Sequence, residues 1–265
     1  MSGRLRPDAR RRQLGVTGQW QILSSLPGAH AGPPADSEPW RPVAEFGTAA
    51  ACERAAGRWS LDQGLPADFD GADWWFRGRF EADDLTDALL GFDGLATICE
   101  VWLNGEPLLA SRSMFVAHTV PVAGRLRHEG NELVIVARAL TPVLGQRRPR
   151  PAWRVPMLTQ QQLRWHRTTL LGRAPGWTPP VTAVGAWRDI WLEAGARVQA
   201  RAPELQVTLL PDGRGRVRLS LEIGAAQPLA GVQMVLRRDG QRWAATMVAE
   251  AGRERGELLL DAPAL

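Results

Sequence analysis

Lysine is missing from this sequence: all 32 basic residues are arginine. That excludes the phosphate-cradling loop G-x-x-x-x-G-K-[ST], whose lysine reaches the phosphates of a nucleotide. Other signatures of chemistry are absent too, since no H-E-x-x-H, no C-x-x-C and no serine in a G-x-S-x-G context occurs. Apolar runs are short, and none approaches the ~20 residues that span a bilayer. Cysteine is scarce, with only Cys52 and Cys99. Two in a chain of this size make no disulfide framework and point to a reducing compartment, although a bridge between them is left open. Cys99, inside an apolar segment, reads as a small buried hydrophobe. The basic start runs into Gln13-Leu14-Gly15-Val16-Thr17 without the apolar core of a secretory leader, so the sequence predicts a cytoplasmic protein.

A net charge of one sign is also missing once the charge is located. The formal charge is +4, and Arg4, Arg6, Arg10, Arg11 and Arg12 against Asp8 supply all of it. The remainder balances, which gives no support for a face that binds nucleic acid or a membrane surface. Residues 1–14 read as a disordered basic leader, with an anion-binding arm as the alternative.

What is present is punctuation. The 20 prolines and 27 glycines divide the chain into short apolar segments, which predicts an all-β protein rich in turns. Residues 74–81 alternate, with Trp74, Phe76 and Phe80 on one face and Trp75, Arg77 and Arg79 on a mostly polar one. Ile98, Val101 and Leu103 lead into Asn104-Gly105, the strongest short-range hairpin signal, and Leu108 and Leu109 return. Residues 18–26, 89–92, 115–122 and 133–139 read as further strands, and residues 49–56 as a short helix that plugs one end of a sandwich and stops at Gly57. Gly185 to Glu193 reads as one strand with Trp187, Asp189 and Trp191 on a shared face. Pro203 marks a boundary. Beyond it, evenly spaced strands with turns at Asp212-Gly213 and Asp239-Gly240 fit an immunoglobulin-like sandwich.

Several motifs taken in order resemble the amino-terminal sugar-binding domain of glycoside hydrolase family 2, in its β-mannosidase-like branch. They are D-W-W-F-R-x-x-F from Asp73, L-x-F-D-G-L-x-T from Leu90, V-W-L-N-G from Val101, S-M-F from Ser113, G-N-E-L-x-I from Gly130 and G-x-W-R-D-I-x-L-E from Gly185. The resemblance implies a jelly-roll, galactose-binding-like sandwich over residues 15–197 and part of an immunoglobulin-like sandwich over residues 198–265. It implies a parent reaction that hydrolyses terminal β-glycosidic bonds with retention. In the family, a strand usually follows this position to complete the second sandwich, so the chain reads as cut off.

Glycoside hydrolysis needs two carboxyl groups about 5 to 10 Å apart on a rigid scaffold. In the family a TIM barrel of roughly 250 residues supplies them. No βα alternation occurs here, so no catalytic residue, metal or cofactor is expected. Asn131-Glu132 imitates the family's acid/base pair, but it opens an apolar strand and reads as structural. Asp68, Asp70 and Asp73 imitate a calcium loop, but residue 79 is arginine where a closing glutamate belongs, and a solvated turn is the simpler reading. His118, alone in a strand, reads as a hydrogen-bonded structural residue.

The best binding candidate is the irregular stretch 160–177, after a Pro- and Arg-rich surface crossing. It mixes flat aromatic faces with polar groups, which suits the apolar faces and hydroxyl rim of a sugar. Trp165, His166, Arg173 and Trp177 are the substrate-binding candidates; alternatively, the two tryptophans pin a long loop to the sandwich. The family segment W-D-W-G-P aligns its second Trp with Trp177 and its Pro with Pro179, but its Asp falls on Gly176 and its first Trp on Pro175, which leaves mannose specificity without its residue. The expected partners are a saccharide and a catalytic barrel outside this chain. A free-standing carbohydrate-binding module and a ligand-free interaction domain are the competing readings.

Overall fold

A computed structural model describes residues 11–17, 19–62, 68–82, 85, 87–149, 152–193, 198–225 and 231–260. The chain separates into two compact units, Met1–Gly195 and Ala196–Leu265.

The first unit is a sandwich of antiparallel sheets. Strands β1 (Arg11–Gln13), β2 (Gln19–Ser25), β3 (Arg41–Pro42), β4 (Asp73–Phe80), β5 (Leu89–Phe92) and β6 (Leu95–Ala96) come first. They are followed by β7 (Cys99–Leu103), β8 (Glu106–Ser111), β9 (His118–Pro121), β10 (Asn131–Ala137), β11 (Gly185–Ala186) and β12 (Ile190–Glu193). One sheet has the order β3-β2-β4-β10-β7-β8 and another the order β1-β12-β5-β9, with β11-β6 as a separate pair. Trp74, Phe76 and Phe80 of β4 enter the main core beside Leu90, Phe92 and Ile190.

The alternation along β4 is therefore as expected, but its second face is not polar in the sense of being solvated. Trp75 is fully buried in a second cluster with Leu23, Trp102, Val134 and Val136. Arg77 is also buried, bonded to Gln21 and Asp36, with its guanidinium 4.2 Å from the Trp40 ring centroid. Asp36 and Trp40 belong to the loop after β2, which crosses this face and covers it.

The end of the basic leader differs as well. Residues 1–10 lie outside the described residues, but Arg11, Arg12 and Gln13 pair with Glu193, Leu192 and Trp191, and Leu14 is fully buried. Backbone pairing does not depend on side-chain polarity, and Leu14 anchors the strand in the core.

The expected single strand from Gly185 to Glu193 is broken in two. Gly185 and Ala186 pair with Ala96 and Leu95, whereas Ile190 to Glu193 pair with β5. Gly185 has φ +97, and a Cβ there would lie 2.5 Å from the Phe76 ring, so the core admits only glycine. Trp187 is half-buried, Asp189 exposed and Trp191 buried, so the three do not share a face. Helix α1 spans Leu14–Thr17, and α2 spans Ala49–Ala55, with Thr48 accepting from the Ala51 N–H and Gly57 at φ +67 beyond its end.

The second unit has a sheet β13-β14-β18-β17 and a hairpin β15-β16. The strands are β13 (Val198–Leu209), β14 (Gly215–Ala225), β15 (Gln233–Arg238), β16 (Gln241–Thr246), β17 (Val248–Glu250) and β18 (Arg253–Leu260). Asp239 (φ +48) and Gly240 (φ +79) make the β15–β16 turn. Val217, Met234, Met247 and Leu258 form a small core, and a Cβ on Gly256 would lie 3.0 Å from Met247. Leu205 and Val207 pair with Leu219 and Val217 on the core-facing side of the sheet, yet Leu205, Val207 and Leu209 are exposed.

Candidate functional site: the loop after the Pro-rich crossing

The 160–177 stretch has no sheet to hold it, so its shape depends on individual contacts. Leu163 packs with Leu140 and Leu144, the latter in α3 (Thr141–Leu144). The Gln161 amide closes a ring with residue 155, donating to the Val155 carbonyl at 2.8 Å and accepting from its N–H at 3.0 Å. Arg164 donates to the Gln161 carbonyl at 2.8 Å and stacks over Trp153 at 4.4 Å. Further along, Ser113 and Arg167 form a β-bridge, and the Thr97 and Thr168 hydroxyls lie 2.6 Å apart.

At the C-terminal end, Gly172 sits at φ +78 where a Cβ would lie 2.0 Å from the Val181 carbonyl oxygen, and its N–H donates to the Thr178 hydroxyl at 2.8 Å. The turn between them projects Trp177, which is 73% exposed; Trp165 is 46% exposed. Both indoles thus offer a face to solvent. His166 is half-buried with its Nε2 unpartnered, and burial, followed by the charges of Arg148 and Arg112, holds its pKa below the usual imidazole value.

Arg173 is placed differently from the other candidates. Its Nε and Nη2 each donate to Asp70 at 2.7 Å, and its Nη1 donates to the Thr169 carbonyl at 3.0 Å. The side chain is 5% exposed, so it fixes the loop and presents nothing to a ligand.

Asp70, the ion-pair partner of Arg173, is the residue of this loop's support that sequence reasoning missed. The acidic trio was expected to be a solvated turn, but Asp70 and Asp73 are buried. Asp73 accepts from the Ala139 N–H at 2.8 Å, the Gly28 N–H at 3.0 Å and Arg138 at 3.0 Å. The arginines that draw these carboxylates inward are far away in sequence. The available signal was that Asp73 opens the buried strand β4 and Asp70 lies in the turn just before it.

The two decoys are structural. Asn131 is fully buried, and its Oδ1 accepts from the Arg127 N–H at 2.9 Å and from Asn104 at 3.1 Å. The Glu132 N–H donates to the Asn104 Oδ1 at 2.9 Å, so the Asn-Glu pair locks the Asn104-Gly105 hairpin. His118 Nε2 lies 3.0 Å from the Ser111 hydroxyl, and burial lowers its pKa. Cys52 and Cys99 are buried free thiols; burial pushes Cys52 up to about 11 and raises Cys99 as well.

Among the described residues no group of three His, Cys, Asp or Glu could hold a metal ion, and no helix is long and apolar enough to cross a membrane.

The antiparallel sandwich of the first unit is of the galactose-binding-like class. Residues 65–188 match the family described as glycosyl hydrolase 2 galactose-binding domain-like. The first unit thus carries a domain similar to the amino-terminal, galactose-binding-like domain of glycoside hydrolase family 2. It is 30% identical over 210 residues to a protein named beta-mannosidase B from Thermothelomyces thermophilus, covering 73% of this chain and 23% of that one. A beta-mannosidase B from Aspergillus terreus is 28% identical over 127 residues, covering 45% of this chain and 15% of that one. The chain thus spans a quarter or less of these curated relatives. Among solved structures, the β-D-mannosidase from Dictyoglomus thermophilum shares the fold with a TM-score of 0.73 at 19% identity, covering 96% of this chain and 32% of that one. The exo-chitosanase CsxA of Amycolatopsis orientalis gives a TM-score of 0.57 at 18% identity, over 94% of this chain and 28% of that one.

Proposed function

We propose that this chain is the non-catalytic, saccharide-binding part of a β-mannosidase-like glycosidase. In this reading Trp165 and Trp177 stack on the sugar, His166 bonds a hydroxyl, and Arg173 positions the loop from behind. A catalytic barrel outside these residues supplies the two carboxyl groups for hydrolysis of a terminal β-glycosidic bond, and the loop walls its pocket. The observation that carries the reading is the exposure of Trp177 on a turn fastened from below by Gly172 and Arg173: an aromatic held open in water at an entropic cost suits stacking on a sugar face. The domain plan is a first sandwich that begins with β1 at Arg11, followed by an immunoglobulin-like sandwich from residue 198. The buried free thiols support a reducing, cytoplasmic setting.

The test is calorimetric titration of the chain with simple sugars and oligosaccharides, beside an assay on aryl β-glycosides. Binding in the millimolar range without turnover is expected. Turnover by the purified chain would overturn the non-catalytic assignment, and absence of any sugar binding would overturn the role of the loop.

A second reading, as a protein-docking surface, is favoured by one specific feature. An open, mostly apolar groove of about 330 Å³ is lined by Trp59, Leu61, Leu171, Pro179 and Val181, beside Trp177 in sequence and turn. It predicts that Trp177→Ala weakens association with a partner protein and leaves sugar binding untouched.

A further inference from the structure

Between Glu132 and Asp189 the chain has no aspartate or glutamate, although arginine recurs throughout. Overall neutrality therefore hides a segregation of charge. Two of these arginines are answered by carboxylates from elsewhere: Arg138 by Asp73 and Glu100, and Arg173 by Asp70. Arg148, Arg164 and Arg167 make no ion pair with a carboxylate among the described residues, and neither does Arg112.

These cations are gathered, not strewn. The bridge between Ser113 and Arg167, reinforced by the Met114 N–H donating to the Arg167 carbonyl at 3.0 Å, sets Arg112 alongside the corner at His166 and Arg167. Arg164 is one turn earlier, held by Gln161 and stacked on Trp153, which is 60% exposed. Burial first, and then the charges of Arg148 and Arg112, disfavour protonation of His166, which places both arginines within electrostatic reach of the ring. Two nitrogens at this corner, Arg164 Nη1 and His166 Nε2, are buried without a hydrogen-bond partner. A guanidinium N–H out of water with nothing to donate to is unfavourable, and so is a group of like charges with no counter-ion. An oxyanion relieves both, and arginine's planar fork matches the two oxygens of a carboxylate or sulfate.

We propose that this basic corner recognises an acidic sugar, so that the saccharide taken by the loop carries a carboxylate or a sulfate group. The inference rests on the saccharide-binding reading above and narrows its ligand class. Two of the cations, Arg112 and Arg148, act on one imidazole, and two exposed indoles, Trp153 and Trp165, are close by in the same loop; a nucleic acid would ask for a stripe of cations that follows its backbone.

The experiment is calorimetry of the full chain with three disaccharides of one backbone: neutral, uronic-acid-containing and sulfated, at low and high salt. The acidic forms are expected to bind at least about tenfold more tightly than the neutral one at low salt, with the preference shrinking as salt rises. Whichever acidic form binds tighter identifies the anionic group. Arg112→Gln and Arg167→Gln, both exposed and checked for folding by circular dichroism, are expected to remove most of the preference and leave neutral-sugar affinity unchanged. Equal binding of neutral and acidic sugars would overturn this inference and leave the saccharide reading standing. No binding of any sugar would overturn both. Duplex DNA competing as well as the acidic sugar would mark the corner as a general polyanion surface and overturn the inference.

Discussion

Arg173 grips Asp70 across 103 positions of sequence with two hydrogen bonds of 2.7 Å, and both side chains are almost wholly withdrawn from water. This pair fastens the turn that carries Trp177 to the edge of the central strand β4. Removing one partner leaves the other charge buried alone, a loss of about 3 to 5 kcal/mol. Arg173→Met and Asp70→Asn are each expected to lower stability by that order in urea unfolding, with the double variant recovering part of the loss. Additive effects would show that the two side chains do not act together.

Trp177 should behave in the opposite way. Its exposure means that Trp177→Ala changes stability by no more than about 0.5 kcal/mol. Sugar affinity, measured by calorimetry, is expected to fall below detection. The contrast separates a ligand-facing residue from its support.

Gly91 faces Trp191 so closely that a Cβ would lie 2.0 Å from the indole. Gly91→Ala is expected to displace the ring, break its hydrogen bond to Asp93 and cost at least about 2 kcal/mol. In a Trp191→Ala background the same change should be nearly silent. A full penalty in that background would point to backbone strain in place of ring contact.

The Asn131-Glu132 pair offers a further contrast. Asn131→Ala strands the Arg127 N–H and the Asn104 amide, at about 1 to 3 kcal/mol for each group left unsatisfied. Glu132→Gln loses only a long surface pairing with Arg79 at 3.5 Å and is expected to change chemical stability within about 0.5 kcal/mol. Thermal or urea melts of the two variants check this.

Acid should weaken the fold. His118 and His166 both have folded-state pKa values below the imidazole value of 6.5 expected for the unfolded chain. Above 6.5 the two states bind equal numbers of protons at these sites. As the pH falls through that value the unfolded state takes up protons first, so the melting temperature is expected to decline from pH 7 downward. His118→Gln should flatten that decline. A melting temperature that rises on acidification would contradict the sign.

Local features were legible in the sequence because local rules govern them. Asn104-Gly105 gave its hairpin through two positive φ values, and the alternation of β4 sent Trp74 and Phe76 to the core. The family motifs carried the fold of the first unit. What was hidden depends on distant partners: Asp70 needs Arg173, Arg77 needs Asp36, and the strand at Arg11 needs Glu193. The alternation of Trp187, Asp189 and Trp191 also misled, because residues 187–189 link two strands that pair in different sheets, and the contact of Gly185 with the Phe76 ring is not visible in the sequence. In the loop, Trp165 and Trp177 are exposed and Arg173 is buried, and nothing in a lone arginine tells a ligand contact from a tether.

Leu205, Val207 and Leu209 stand uncovered along the outermost strand of the second unit. Such a row is half of a zipper: its amide edge is open to hydrogen bonding and its oily side has no lid. Concentrated solutions of this polypeptide should consequently form ribbons or soft aggregates through that margin, and a single Val207→Lys replacement should keep them clear.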